Sequence, residues 1–385
     1  MNARFPILAI LVAAAPLAMA AEAPDADALE AGRYVIRRIS LDKADVFDLS
    51  DAAENNWLYR AANRFHVVTR DKTINKQLLF GPGDLYNKRL VEETERLLRQ
   101  NKYLYDASIE AAPATDGTVD LTVHTKDVWS LAPELSVSRS GGETRSRIGL
   151  EETNLLGRGQ LLRVLRDNDI DRSENVVEFA DQRMGSNWWS LLARYSNNSD
   201  GDAHWLNLVR PFYALDARWA AGGSLLQDDR RDKLYQLGEE SAEYRHERDY
   251  AWLFGGWSRG LQNGKARRWT AGVVYDDHRF SDVPTSALPS VVPDNRRLVY
   301  PFIGIEIVED GYVKTQNRDQ IERTEDFQMG LQGRASIGWA DTSLGSDRDA
   351  AMFSADVSRG FGSLDDTALL LAARTSGRVE SGDFA

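Results

Sequence analysis

From Ser130 onward the sequence alternates apolar and polar residues with a period of two, in segments of roughly ten residues separated by turn-rich breaks. That period puts neighbouring side chains on opposite faces of a strand, so the stretch is committed to β-structure. Tyr250, Trp252, Phe254 and Gly256 share one face, and Ala251, Leu253, Gly255 and Trp257 share the other. Trp269, Ala271, Val273 and Tyr275 form another apolar row, opposed by Arg268, Thr270 and Gly272. Trp205, Asn207 and Val209 alternate with Leu206, Leu208 and Arg210. Asn198-Ser199-Asp200-Gly201 and Gln262-Asn263-Gly264-Lys265 read as connecting turns. Roughly fourteen candidate strands run up to Arg378. A soluble sandwich or propeller fits less well, because the series is unbroken and has no repeat of fixed period.

Past the N-terminus no segment reaches the ~18 apolar residues of a membrane helix. A membrane crossing therefore has to be a β-barrel, the other architecture that leaves no backbone group unpaired in lipid. Of ten tryptophans, nine lie between Trp129 and Trp339, which suits aromatic girdles at two water interfaces. At the start, Arg4 precedes an apolar run from Ile7 to Ala18, and Ala18-Met19-Ala20 supplies a small-x-small cleavage pattern. Residues 1–20 are expected to be an export signal. The 385 residues include 47 basic and 59 acidic side chains, a net charge of −12, which argues against nucleic acid as a partner. The absence of cysteine excludes disulfides, thiolate metal sites and cysteine nucleophiles.

Between the export signal and the strand series the pattern is mixed. Residues 34–39 and 65–69 read as short strands, and residues 53–63 have helical character with Trp57, Leu58 and Ala61 on one side. Residues 71–80 suggest a short helix stopped by Gly81-Pro82-Gly83. A stronger helix is expected over 88–100, with Asn87 as N-cap, Arg96 and Arg99 late, and Leu90, Val91, Thr94, Leu97 and Leu98 in one apolar stripe. Residues 107–111 and 118–124 alternate as two strands around Asp116-Gly117, a hairpin-turn dipeptide.

Gly83-Asp84-Leu85-Tyr86-Asn87, Glu95-Arg96-Leu97-Leu98-Arg99, Tyr103-Leu104-Tyr105-Asp106-Ala107 and the 116–121 hairpin resemble a POTRA domain. Residues 151–159 then resemble the Asn-x-x-Gly-x-Gly turn of the BamA/TamA superfamily, carried here by Asn154, Gly157 and Gly159. Two glycines around a reverse turn allow positive φ at little steric cost. Two departures stand out. The Arg-Gly-Phe/Tyr motif on a long inward loop has its only match in Arg359-Gly360-Phe361, which reads as a plain hairpin turn. The chain also ends without the aromatic final residue of such barrels, so the barrel is expected to be incomplete at its C-terminus.

Candidate chemistry is thin. Five histidines are scattered without metal-ligand spacing. Asp276-Asp277-His278 is the one cluster a barrel-borne hydrolase could use, and it reads more simply as a solvated strand end, with Asp276 and His278 on one face and Asp277 on the other. No phosphate loop or G-x-S-x-G elbow is present, so neither enzyme activity nor a cofactor or metal is expected.

The expectation is thus a mainly β chain: an α+β POTRA-like periplasmic domain at 21–127, then an antiparallel transmembrane β-barrel at 128–385 in the cell outer membrane. The resemblance implies a role in inserting or translocating proteins there. Its partners would be the lipid bilayer, unfolded outer-membrane or secreted clients, and periplasmic accessory proteins. A barrel seam that opens sideways would come from the same resemblance. Clients would pair with a POTRA edge strand, with Ile109, Val119, Leu121 and Val123 as the contact residues. A passive channel or surface antigen is the rival reading.

Overall fold

The computed structural model describes residues 25–114, 116–283, 292–319, 321–380 and 383–384. The expected export signal lies outside them.

The N-terminal module contains α1 (Ala26–Ala31), β1 (Val35–Ala44), α2 (Trp57–Phe65), α3 (Asp71–Asn75), α4 (Lys88–Arg99), β2 (Leu104–Pro113) and β3 (Thr118–Asp127). Its sheet has the order β1-β3-β2, with β1 parallel and β2 antiparallel to β3. Asp116 and Gly117 turn the β2–β3 hairpin with φ of 67° and 68°, the mirror-image geometry that matches strand twist. The side chain of Asn87 accepts from the Leu90 N–H at 2.9 Å and so opens α4 at the expected residue. Ile36, Val91, Val119 and Leu121 build one half of the core. Ile74, Leu98, Leu104 and Val123 build the other.

Two expectations need correction. Residues 65–69 form no strand: Phe65 ends α2, and Thr69 gives its backbone N–H to the Asp127 carboxylate at 2.7 Å instead of to a ladder. Leu97, expected to pack the sheet, is buried on the other side of α4, against a polar cavity of about 250 Å³ that it shares with Phe212–Leu215. Leu98 takes the sheet-facing position.

Thirteen strands then form one antiparallel wall: β4 (Leu131–Ser140), β5 (Glu143–Glu152), β6 (Gln160–Asn168), β7 (Ser173–Met184), β8 (Trp189–Asn198), β9 (Gly201–Arg210), β10 (Trp219–Gln236), β11 (Glu239–Gln262), β12 (Lys265–Ser281), β13 (Arg296–Glu309), β16 (Gln332–Ala340), β17 (Ala350–Gly362) and β18 (Ala368–Glu380). The two-residue β19 (Asp383–Phe384) adds a fourteenth. β14 (Tyr312–Gln316) and β15 (Thr324–Gln328) pair only with each other, as a hairpin inserted between β13 and β16. Each wall strand pairs with its neighbour in sequence once that hairpin is set aside. Among the described residues β4 and β18 do not pair with each other, so the wall has two sheet ends.

Register confirms the alternating faces. Leu253 lies opposite Val273 and Gly223, and Trp257 lies opposite Trp269 and Trp219. Leu253 is 65% exposed and Trp257 53%, so this outer face is apolar with tryptophans crossing three strands at the module's end of the wall. Trp339 is exposed near the far end of β16. Such a band with aromatic borders is the surface a barrel turns to lipid. No described helix is long and apolar enough to cross a membrane. Strand β11, at 24 residues, spans about 80 Å by its rise per residue, well past an apolar band of about 25 Å.

Candidate functional site

The strand order decides which residues of the module can meet a partner. β3 is central, so Val119, Leu121 and Val123, all fully buried, belong to the core rather than to a client surface. This corrects the sequence expectation for those three residues: short strands joined by an exposed turn do not reveal which of them lies in the middle. β1 and β2 are the edges. The start of β1 is occupied, because the Ile36 N–H donates to the Asp84 carbonyl at 2.9 Å and the Ile36 carbonyl accepts from Gly83 at 2.8 Å.

β2 carries Ile109, and its outer backbone groups are held by side chains of α4. The Ile109 N–H donates to Glu95 Oε1 at 2.8 Å, and the Ala107 carbonyl accepts from Arg99 Nη1 at 2.7 Å. Glu93, Glu95, Arg96 and Arg99 are all buried, which is unusual for charged residues and demands partners. The β14–β15 hairpin and the β9–β10 turn supply them. Arg99 donates to both carboxylate oxygens of Asp326 at 2.7 Å, and the Arg96 guanidinium lies 3.6 Å above the Tyr312 ring. Glu95 pairs with Lys314, and Arg89 with Asp216. Glu93 accepts from the Leu215 N–H at 2.8 Å. Burial pushes the Glu93 carboxyl above its usual range, against the pull of that N–H and of Arg96 and Arg89. Thr324 donates to Asp106 at 2.9 Å and Tyr105 to the Ile321 carbonyl at 3.0 Å, so the hairpin lies alongside the start of β2.

The alternation pattern alone did not single out this hairpin. One signal was available: residues 312–328 hold seven charged side chains in seventeen positions, too many for a lipid-facing strand.

A second joint ties the module to the first wall hairpin. Asn154, 2% exposed, accepts from the Gly159 N–H at 2.8 Å and donates to Thr69 Oγ1 at 2.9 Å. Gly157 has φ 71°, and its carbonyl accepts from the Arg70 N–H and the Thr73 hydroxyl, both at 2.9 Å. Gly159 has φ 65°, and a Cβ there would sit 2.6 Å from the Tyr103 hydroxyl. All three motif residues therefore meet at the seat of the module on the wall. Burial raises the Tyr103 phenol to about 12, and it raises Asp127 above the usual carboxylate range although Thr69 donates to it twice.

The far end of the wall holds the histidine cluster. Asp276 and His278 share a face, 3.2 Å apart, and His278 also meets His246 at 2.8 Å. Asp277 points the other way, to Arg279 and Arg297. Among the described residues no cluster of His, Cys, Asp and Glu is arranged to hold a metal ion. Arg359 and Gly360 continue β17 to its end at Gly362 and form no loop of their own.

Residues 62–126 match the family model described as "POTRA: Surface antigen variable number repeat". The N-terminal module is a POTRA module. It precedes an antiparallel β-wall, the order of domains expected from the sequence. Three solved structures resemble the whole. BamA from Haemophilus ducreyi lacking POTRA domains 1–3 is 14% identical, with 91% of this chain and 56% of that chain covered and a TM-score of 0.37. CdiB from Acinetobacter baumannii is 12% identical, with coverage of 91% and 68% and a TM-score of 0.38. CdiB from Escherichia coli is 11% identical, with coverage of 91% and 55% and a TM-score of 0.47. The chain thus spans little more than half of the BamA structure. No curated protein matches it.

Proposed function

We propose that this chain resides in the outer membrane with its POTRA module in the periplasm, and that it inserts or translocates client proteins there. A client arrives unfolded, with backbone donors and acceptors unpaired, and a sheet edge satisfies them by strand addition. The observation that carries this reading is the β2 edge, where the Ile109 N–H and the Ala107 carbonyl are bonded only to α4 side chains. Those bonds are exchangeable: an incoming strand replaces the Glu95 carboxylate with a carbonyl and the Arg99 guanidinium with an N–H. The β14–β15 hairpin holds Glu95 and Arg99 in place, so client binding and seating of the hairpin are opposed. In the bilayer, an unpaired strand edge offers further backbone groups whose pairing is strongly favoured where water is absent.

The test is reconstitution into phospholipid vesicles with an unfolded outer-membrane barrel precursor, following client folding by its heat-modifiable gel mobility. Folding several-fold faster than in empty vesicles is expected. Folding at the empty-vesicle rate, together with ion conductance through the protein, would identify a passive channel.

A further inference from the structure

Helix α2 carries an apolar stripe that none of the described residues covers. Trp57 and Phe65 are each 77% exposed and Leu58 is 56% exposed. With Ala61 they occupy one side of a nine-residue helix at the spacing of successive turns. The opposite side is fixed to the module: Tyr59 stacks on Phe47 with ring centroids 4.1 Å apart, and Asn63 bonds both backbone groups of Phe47, at 3.1 and 2.8 Å. The helix therefore cannot roll its stripe inward. Arg60 and Arg64, both exposed, flank the stripe in a chain whose net charge is −12.

The position of the helix completes the argument. Phe65 precedes Thr69 by four residues, a reach of at most about 14 Å. Thr69 is bonded to Asn154, in the turn that joins β5 to β6. Leu156 in that turn is 53% exposed, and Ile148 and Leu150 continue the apolar outer face up β5. The stripe thus adjoins the edge of the lipid-facing band. We propose that α2 is an interfacial membrane helix, its Trp57, Leu58 and Phe65 seated among the acyl chains of the adjacent leaflet and Arg60 and Arg64 on anionic phospholipid headgroups. Two attachments, the joint at Asn154 and the helix in the bilayer, then fix the tilt of the POTRA module relative to the wall. The proposal rests on the reading of the wall as a lipid-embedded barrel.

The chain has no cysteine, so single-cysteine variants of the full-length protein each carry one spin label. Ala61→Cys and Leu58→Cys report the stripe, Leu253→Cys the outer face of the wall, and exposed Lys102→Cys the aqueous phase. In vesicles of phosphatidylethanolamine and phosphatidylglycerol, the ratio of oxygen to nickel-chelate accessibility measures depth. A ratio at Ala61 and Leu58 several-fold above Lys102, approaching Leu253, is the expected result. A ratio equal to that of Lys102 while Leu253 stays high overturns the proposal and leaves the barrel reading intact. Low ratios at Leu253 as well would end both. Labels at Ala61 and Leu58 shielded from both reagents would mean that protein covers the stripe, which also overturns the proposal.

Discussion

Arg99 and Asp326 lie 227 residues apart in the chain and meet through two parallel hydrogen bonds of 2.7 Å, both side chains nearly sealed from water. A fork of this kind is geometrically selective, and breaking one partner of a buried pair costs about 3 kcal/mol because the other charge is stranded. The pair fastens the charged face of α4 to the β14–β15 hairpin and thereby keeps Arg99 on the Ala107 carbonyl.

Asp326→Asn is accordingly expected to loosen the hairpin without unfolding the POTRA module. Amide hydrogen exchange should rise in residues 312–328 and at Ile109, and remain slow in β3. Uniformly faster exchange throughout the module would mean that the pair supports the fold itself.

The leucines of α4 separate two roles. Leu98, fully buried against Ile74, Leu104 and Val123, should destabilise the module by about 2–5 kcal/mol on Leu98→Ala. Leu97→Asp places a carboxylate at the polar cavity beside Arg96 and Arg268, and should disturb seating more than folding. Circular dichroism melts of the two variants in the full chain give the comparison.

Gly159→Ala combines a positive φ with a Cβ 2.6 Å from the Tyr103 hydroxyl. The strain amounts to about 1–3 kcal/mol, to which the overlap adds a similar amount. Adding Tyr103→Phe removes the nearest atom and should recover part of the loss, but neither the part due to φ nor that due to the ring carbons at 2.8 and 2.9 Å. Protease protection of the 154–159 turn reads both.

Glu93 and Asp127 both have carboxyls raised by burial, so the folded, seated state binds protons more tightly than the unfolded chain. Their contribution is favourable at and below the ordinary carboxylate value near 4 and is lost as pH rises through the elevated folded-state values. Glu93→Gln keeps an acceptor for the Leu215 N–H but does not titrate. Wild type should therefore lose stability relative to this variant as pH rises from 4 to 7, measured by urea denaturation of the seated module. A relative gain over that range would contradict the assignment.

The legible parts of the sequence were those where one physical period dominates. The stripe Leu90–Leu98 and the cap at Asn87 identified α4, and the alternation through Trp252 and Val273 identified the wall. What the sequence concealed were facts of adjacency. Val119, Leu121 and Val123 look like any short alternating strand, and only the chain's return of β1 alongside them makes β3 central. Arg96 and Arg99 read as helix-end charges, because their partners Tyr312 and Asp326 lie more than two hundred residues away. Asn154, Gly157 and Gly159 were found as a turn motif, while their contacts with Thr69, Arg70 and Tyr103 required the fold.

Strand position also separates two proline substitutions. Leu121→Pro interrupts the central strand and should unfold the module, whereas Ile109→Pro removes one edge donor, now held by Glu95, and should leave it folded. Near-ultraviolet circular dichroism of each variant distinguishes the outcomes.

Site-specific photo-crosslinking tests the client-binding account most directly. Photoreactive residues at Ser108 and Glu110, exposed on β2, would be compared with one at Lys102 during folding of a radiolabelled barrel precursor by the full chain in vesicles. The account predicts client adducts at both β2 positions, increased by Asp326→Asn, and few at Lys102. Client folding without β2 adducts, in the original protein and in Asp326→Asn alike, would contradict it.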